Sequence, residues 1–369
     1  MDVTYIARNL NLIGFFIGRQ TKFEPILLNK IVRFTLNVTI ILSVSTFYAI
    51  FNILKKILFV TLFLDLWMFI NKMYLVTIPE CYVYDGDFYD KLNDIDKELN
   101  TDKRILKKQK FRVNQLITFW LTMFTISRSF VKLISNDLLV NVWYILNDSI
   151  THLNRLHIVA NITTNAFLIK ERTAMTYEHL INFKIMILLI LHKKTTETEE
   201  IIMDNICKEN LQRMIKILCK ICDAIDKFNR RHRVEIFQQF TYIFCSILLH
   251  VFYNQFEAIT FKKVISITFW NIFYLGTIIS MLHTATVTTK IMSEIPKVVQ
   301  DIVLEIIRCN NYTFQQHKVL LEELILFSEL ASSPGLKFSI YGIANFSYSI
   351  LISFASNIVS YVVVLMLFK

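Results

Sequence analysis

Seven stretches of the chain are long and apolar enough to be read as membrane-crossing helices, since a hydrocarbon core about 30 Å thick takes about 20 helical residues. Phe34–Leu54 carries no charge. Ile57–Ile78 contains Asp65 and Lys72, and Val113–Ile134 contains Arg128 and Lys132. Leu138–Ile169 is the weakest of the seven, with Asp148, His152, Arg155 and His157 inside it. Phe237–Phe256 and Val264–Leu282 come next. The last, Phe338–Phe368, is a charge-free run longer than a bilayer needs, which predicts tilt or an extension beyond the membrane.

Between the spans the period stays helical. Leu211, Met214, Ile215, Leu218, Ile221, Cys222, Ile225 and Phe228 recur at steps of three and four. So do Ile291, Ile295, Val298, Val299, Ile302, Val303, Ile306 and Ile307. Such stripes must be buried, either within the chain below the membrane or at a subunit interface. The pattern predicts an all-α membrane protein of seven transmembrane helices with helical cytosolic extensions. Its parts are an N-terminal segment, 1–30; helices one to six, 31–287, with cytosolic loops 79–112 and 169–236; a helical region, 288–337; and the seventh helix, 338–369.

Charge fixes the expected orientation. Of 40 Lys and Arg residues, 30 fall in the N-terminal segment and the loops on its side, and five on the opposite side. Positive loops stay in the cytosol, so the N-terminus is expected inside and the C-terminus outside. A G-protein-coupled receptor runs the other way, and neither Asp-Arg-Tyr after the third span nor Asn-Pro-x-x-Tyr in the seventh is present. The expected external loops are very short and hold no folded ectodomain. The N-terminus shows no basic n-region with a cleavage site, so the first span is expected to insert uncleaved.

Composition narrows the function classes. Hydrophobic residues make up 54% and charged residues 19% of 369, with a mean hydropathy of +0.45. Only six glycines and four prolines punctuate the chain. Disorder is excluded, and a soluble enzyme with a loop-built site is disfavoured. The formal charge of +10 sits between apolar spans, which points to a membrane and not to nucleic acid. No H-E-x-x-H, G-x-S-x-G, Walker A or G-x-G-x-x-G motif occurs, so no catalytic, cofactor or metal residues are assigned. All four prolines lie outside the spans and no internal repeat is visible, which disfavours a transporter. Cys219-x-x-Cys222 has no second C-x-x-C and lies in a helical pattern, so it reads as two helix positions one turn apart. Among the N-x-[ST] sequons, those at Asn37, Asn147, Asn161 and Asn311 read as chance matches.

The last segment ends Ser360-Tyr361, five hydrophobic residues, Leu367-Phe368. This resembles the signature of the insect gustatory receptor family, Thr-Tyr, five hydrophobics, Gln-Phe. That family belongs to a seven-transmembrane chemoreceptor superfamily shared with insect odorant receptors. Phe327-Ser328, Lys337-Phe338 through Gly342, and Ala224-Ile-Asp-Lys-Phe-Asn229 are also similar to it. Ser360 stands for Thr and keeps a hydroxyl; Leu367 stands for Gln and loses the polar group. Val362, where sugar-responsive members often carry Glu, argues weakly against a sugar receptor.

The resemblance implies a plasma-membrane taste receptor of a chemosensory neuron. It would be a tetrameric, ligand-gated, non-selective cation channel, a homomer or a complex with other receptor subunits, opened by a small organic tastant. The seventh helix would line the pore, with Val364, Leu367 and Phe368 at the gate. The ligand pocket would lie among spans two to six in the outer half of the bilayer. With the orientation above, that half offers Asp65, Arg128, Trp143, Tyr144, Asn147, His250, Tyr253, Asn254, Trp270, Asn271 and Tyr274. Aromatic walls with a few polar groups suit such a ligand, though each Trp or Tyr alone also fits an interfacial belt. Asp65 and Lys72, and Asp148 and Arg155, are each seven apart and share a helical face. The alternatives are an odorant-receptor subunit, against which the short second external loop speaks, and a metabotropic seven-span receptor.

Overall fold

The computed structural model describes residues 86–100, 138–192, 197–256, 261–309, 318–333, 337–340 and 344–367, with 112, 115, 118, 119 and 122. At several helix ends, among them 138–154, 249–256, 261–271 and 365–367, only the backbone is described. The first three expected spans, Asp65 and Arg128 among them, lie outside these residues or touch them at single positions.

Six helices and one small hairpin are present among the described residues. They are α1 (Gly86–Glu98), α2 (Leu138–His192), α3 (Glu197–Phe256), α4 (Phe261–Cys309), α5 (Lys318–Ala331), β1 (Ser339–Ile340), β2 (Ala344–Asn345) and α6 (Ser349–Leu367). Helices α2, α3 and α4 run for 55, 60 and 49 residues. At about 1.5 Å per residue each is far longer than a bilayer is thick. The fourth, fifth and sixth expected spans are therefore the ends of rods that continue into the expected cytosolic loops. The scarcity of breakers permits this; α4 even continues through Pro296. α1 ends where Asn100 takes a left-handed φ of 48°, a conformation asparagine tolerates at a helix C-terminus.

Cross-helix bonds give the directions. Tyr89 bonds Asn165 and Asp96 bonds Arg172, so α1 and α2 run parallel. Arg155 bonds Gln239 while Asn165 bonds His232, so α2 and α3 run antiparallel. Lys91 pairs with Asp223 and Glu98 with Lys216 and Lys220, so α1 also lies antiparallel to α3.

The core lies in the expected cytosolic part. Leu211, Leu218, Ile221, Ile225 and Phe228 of α3 are buried with Ile295, Val299, Ile302 and Ile306 of α4. The two amphipathic stripes are thus mostly covered within the chain, leaving Ile307 at the end of the α4 stripe exposed. Cys219 and Cys222 sit on α3 as two positions of one helix, and neither is in a disulfide. Asn161 is buried in α2, where no sugar could be attached. Arg155, the misfit of the fourth span, is buried against α3, its guanidinium 3.2 Å from the Tyr242 ring centroid.

The seventh segment departs from expectation. The helix does not begin at residue 338 but at Ser349. Before it, Ser339 pairs with Asn345 and Ile340 with Ala344 in an antiparallel hairpin. Ser, Gly and Asn at 339, 342, 345 and 347 are poor helix formers, and an α3 side chain captures the extended backbone, as described below. This accounts for the excess length: the charge-free run is a hairpin followed by a 19-residue helix.

Among the described residues no helix is long and apolar enough to cross a membrane.

Candidate functional site

Helix α6 carries no charged residue. It is held to the chain along one seam. Leu351, Phe354 and Ile358 are half-buried at steps of three and four. The Phe354 ring stands 5.9 Å from Phe240 and 5.7 Å from Phe244, and Tyr361 stands 5.6 Å from Phe244, all edge-on. Aromatic edge contacts of this kind fix orientation as well as burying area.

Beyond this seam and Ile350, the described side chains of α6 are uncovered in the single chain. Ile352 is 75% exposed, Val359 61% and Val364 45%. At 100° per residue, Ser349, Ser353, Ser356 and Ser360 fall on one stripe opposite the seam, and Leu367 continues it. Ser353 and Ser360 each donate to the carbonyl four residues back, 3.4 and 2.9 Å away, so their oxygens stay on the helix surface as acceptors. The result is a hydroxyl-lined face whose last position along the helix is Leu367, with Val363 and Val364 beside it. The serine spacing is plain in the sequence, but its importance appears only once the seam shows which side faces away from the chain. Phe368 lies outside the described residues, and of Leu367 only the backbone is described.

Below α6 the hairpin is clamped by Asn229. Its Nδ2 donates to the Lys337 carbonyl at 2.9 Å, and its Oδ1 accepts from the Ser339 N–H at 3.0 Å. Phe228 meets Phe338 edge-on at 4.9 Å, both fully buried. The two sequence stretches that carried the resemblance, 224–229 and 337–342, are therefore in direct contact. At the far end of the hairpin, Tyr348 Oη lies 2.7 Å from His283 Nδ1, tying the entry of α6 to α4.

Nine of the candidate ligand residues fall on helices. Trp143, Tyr144 and Asn147 are on α2, His250, Tyr253 and Asn254 on α3, and Trp270, Asn271 and Tyr274 on α4, each described by backbone alone. Continuing the α2–α3 register from Asn165–His232 and Arg155–Gln239 brings the α2 and α3 groups to the same level. A cavity of about 200 Å3 lies elsewhere, between the end of α1, α2 and α3, lined by Glu98, Thr176, His179, Asn182, Phe183 and Met214 among others.

Sequence reasoning missed two buried polar bridges under α1. Arg172 is fully buried, with Asp96 Oδ2 2.5 Å from Nη2 and the Leu92 and Leu168 carbonyls on Nε and Nη1. Burial pushes the Asp96 carboxyl above its ordinary range against the pull of Arg172, and lowers the Arg172 guanidinium. The second bridge runs from Tyr89 through Asn165 to His232 and Glu235. A polar side chain inside a hydrophobic period carries no signal of its partner, so neither bridge was legible.

No family profile and no curated protein sequence matches the chain. Its fold does match solved structures. The insect olfactory receptor OR5 from Machilis hrabei in complex with eugenol aligns with a TM-score of 0.64 at 10% identity, covering 100% of both chains. A second structure of the same receptor aligns with a TM-score of 0.63 at 11% identity, covering 100% of this chain and 99% of that one. At such identities the likeness is one of fold.

Proposed function

We propose that this chain is a chemosensory receptor that is itself a ligand-gated, non-selective cation channel of the plasma membrane. Four copies would surround a pore walled by α6, and a small organic molecule bound among the outer helix ends would open it. One observation carries this reading: α6 is charge-free, adheres to its own chain by a single seam, and turns a serine stripe the other way. A lone helix in lipid gains nothing from a hydroxyl face, whereas a central pore supplies water to it. Val364, Leu367 and Phe368 at the end of the last segment form a gate that closes by excluding water. The ligand acts by population shift, binding the open arrangement of the outer helices better than the closed one.

Between subfamilies, the Ser360-Tyr361…Leu367-Phe368 ending and the short second external loop favour a taste receptor. The fold shared with an olfactory receptor in complex with eugenol favours the second reading, an odorant-receptor subunit. The test common to both is whole-cell current. Current evoked by small organic compounds is expected to persist under G-protein block and to show leak or altered ion preference in Val364→Ala. Loss of that current under the block, with surface expression intact, overturns the channel reading.

A further inference from the structure

The cavity between the end of α1, α2 and α3 has an apolar floor and a polar rim. Two helix edges line it at steps of three and four: His179, Asn182 and Phe183 on α2, and Asn210, Arg213, Met214 and Ile217 on α3. Leu99, Phe183, Met214 and Ile217 are buried, whereas His179 and Asn182 are exposed and Asn210 and Arg213 half-buried. An apolar cavity of about 150 Å3 takes one benzene ring. This one, of about 200 Å3, has room for a ring and one attached polar group.

Charge selects what enters. Glu98 is the one acid lining the cavity among the described residues, and it is held by Lys216 at 2.9 Å and Lys220 at 3.4 Å. Arg213 is steadied by Asn100, the left-handed residue at which α1 ends. The Asn100 side-chain nitrogen donates to the Lys97 carbonyl at 3.2 Å, and its oxygen accepts from Arg213 Nη2 at 3.1 Å. A guanidinium carries five N–H groups in a planar fork that matches a carboxylate, so most of them remain for a guest. Arg213, Lys216 and Lys220 together outweigh the single Glu98.

From this geometry we propose that the cavity is a binding site for a compact organic anion, a carboxylate on an apolar body of about one ring. The ring lies on Leu99, Phe183, Met214 and Ile217. The carboxylate pairs with Arg213, and the amides of Asn182 and Asn210 add neutral donors. An inorganic anion leaves the floor unused, a neutral ring leaves the guanidinium without a counter-charge, and a cation meets Arg213. An acyl chain exceeds the space. The guest touches all three helices, so it fastens the end of α1 to α2 and α3. Along α2 the site is remote from the outer helix ends: Phe183 lies about 60 Å from Trp143 at about 1.5 Å per residue. It therefore answers to a solute on the expected cytosolic side, not to the sensory ligand.

The test is fluorine NMR line broadening of 4-fluorobenzoate by the purified full-length protein in phosphatidylcholine nanodiscs at neutral pH. It needs no channel current, so failure of the channel reading leaves it intact. Saturable binding is expected with a Kd below about 1 mM. Benzamide, a neutral ring of the same shape, and acetate, a carboxylate without the ring, should each compete at least about tenfold less well than benzoate. Arg213→Gln should weaken binding by at least about tenfold; benzoate lodged among the outer helix ends would be indifferent to that change. Hydrogen exchange locates the site: saturating benzoate should slow the amides of 95–100, at the end of α1. The benzamide, acetate and exchange comparisons use the unaltered protein and decide the matter should Arg213→Gln fail to fold. Absence of saturable binding, equal affinity in Arg213→Gln, benzamide as strong as benzoate, exchange at 95–100 unmoved by benzoate, or displacement by palmitate overturns the proposal.

Discussion

Arg172 Nη2 stands 2.5 Å from Asp96 Oδ2 in the interior, and the pair lies seven residues along both helices from the Tyr89–Asn165 bond. The spacing is two turns on each rod, so α1 is fastened to α2 twice along one line. The guanidinium reaches three acceptors on two helices, while Asp96 Oδ1 is buried with no donor.

That asymmetry predicts unequal losses. Arg172→Met leaves a buried carboxylate with no cation and is expected to cost about 3–5 kcal/mol of stability. Asp96→Asn keeps an oxygen for Nη2 and the two carbonyls but removes the counter-charge of the buried guanidinium, and is expected to fall at the lower end of the same range, about 3 kcal/mol. Replacing both by apolar residues should restore most of the loss. Thermal unfolding of the purified protein orders the three; a double variant no better than Arg172→Met would contradict the argument.

Asn229 predicts a local effect. Both ends of its amide are used on the hairpin backbone, donating to Lys337 and accepting at Ser339. Asn229→Asp removes the donor and sets a carboxylate against the Lys337 carbonyl; Asn229→Ala only leaves both backbone groups to water. Faster proteolysis or exchange across 337–346 is expected in both, and more in Asp, with a cost of about 1–3 kcal/mol. Equal behaviour of the two would mean that the clamp is steric.

The Cys219–Cys222 step predicts selective chemistry. Cys219 is exposed, whereas Cys222 is half-buried and its thiol is pushed up to about 11. Only the thiolate reacts, and at about pH 8 a group of that pKa is ionised in about one molecule in a thousand. Brief treatment with N-ethylmaleimide followed by peptide mapping should mark Cys219 and spare Cys222. Equal labelling would show that this turn of α3 is open.

How much of this was legible in the sequence depends on whether periodicity or partnership carried the information. The α3 and α4 stripes were readable because burial of Leu218, Ile225 and Phe228 on one rod, and of Ile295, Val299 and Ile302 on the other, repeats at the helical period. Their continuity with the spans was not, since charge breaks at Arg230, Arg231 and Arg233 read as a loop boundary while the helix runs on. The start of α6 was misplaced because hydropathy does not distinguish a buried hairpin from a helix; Phe338 and Phe346 are as buried as any span residue. Arg155 was visible as an oddity inside a span, but its partner, 84 residues away, was not; Arg172, 76 residues from Asp96, carried no such mark. Of the site itself, the last-helix ending was readable, and the serine stripe acquired meaning only from the seam made by Phe354 and Tyr361.

That stripe yields the most direct test of the pore. If Ser349, Ser353, Ser356 and Ser360 face water shared by several copies, cysteines placed there react with a charged thiol reagent and block current. Cysteines at Leu351 or Ile358, on the α3 seam, should be slower by at least about tenfold, because a packed, half-buried side chain offers no path for a cation. The Leu367 position sharpens the point. Leu367→Gln adds an amide oxygen at the end of the stripe, so ions keep a polar contact where the wall is now apolar, and larger unitary conductance is expected. Ile352→Cys and Val359→Cys, exposed beside the stripe, should then cross-link neighbouring copies under oxidation. Block from the seam positions, or conductance indifferent to Leu367→Gln with the serine cysteines unreactive, would place the conduction path away from α6.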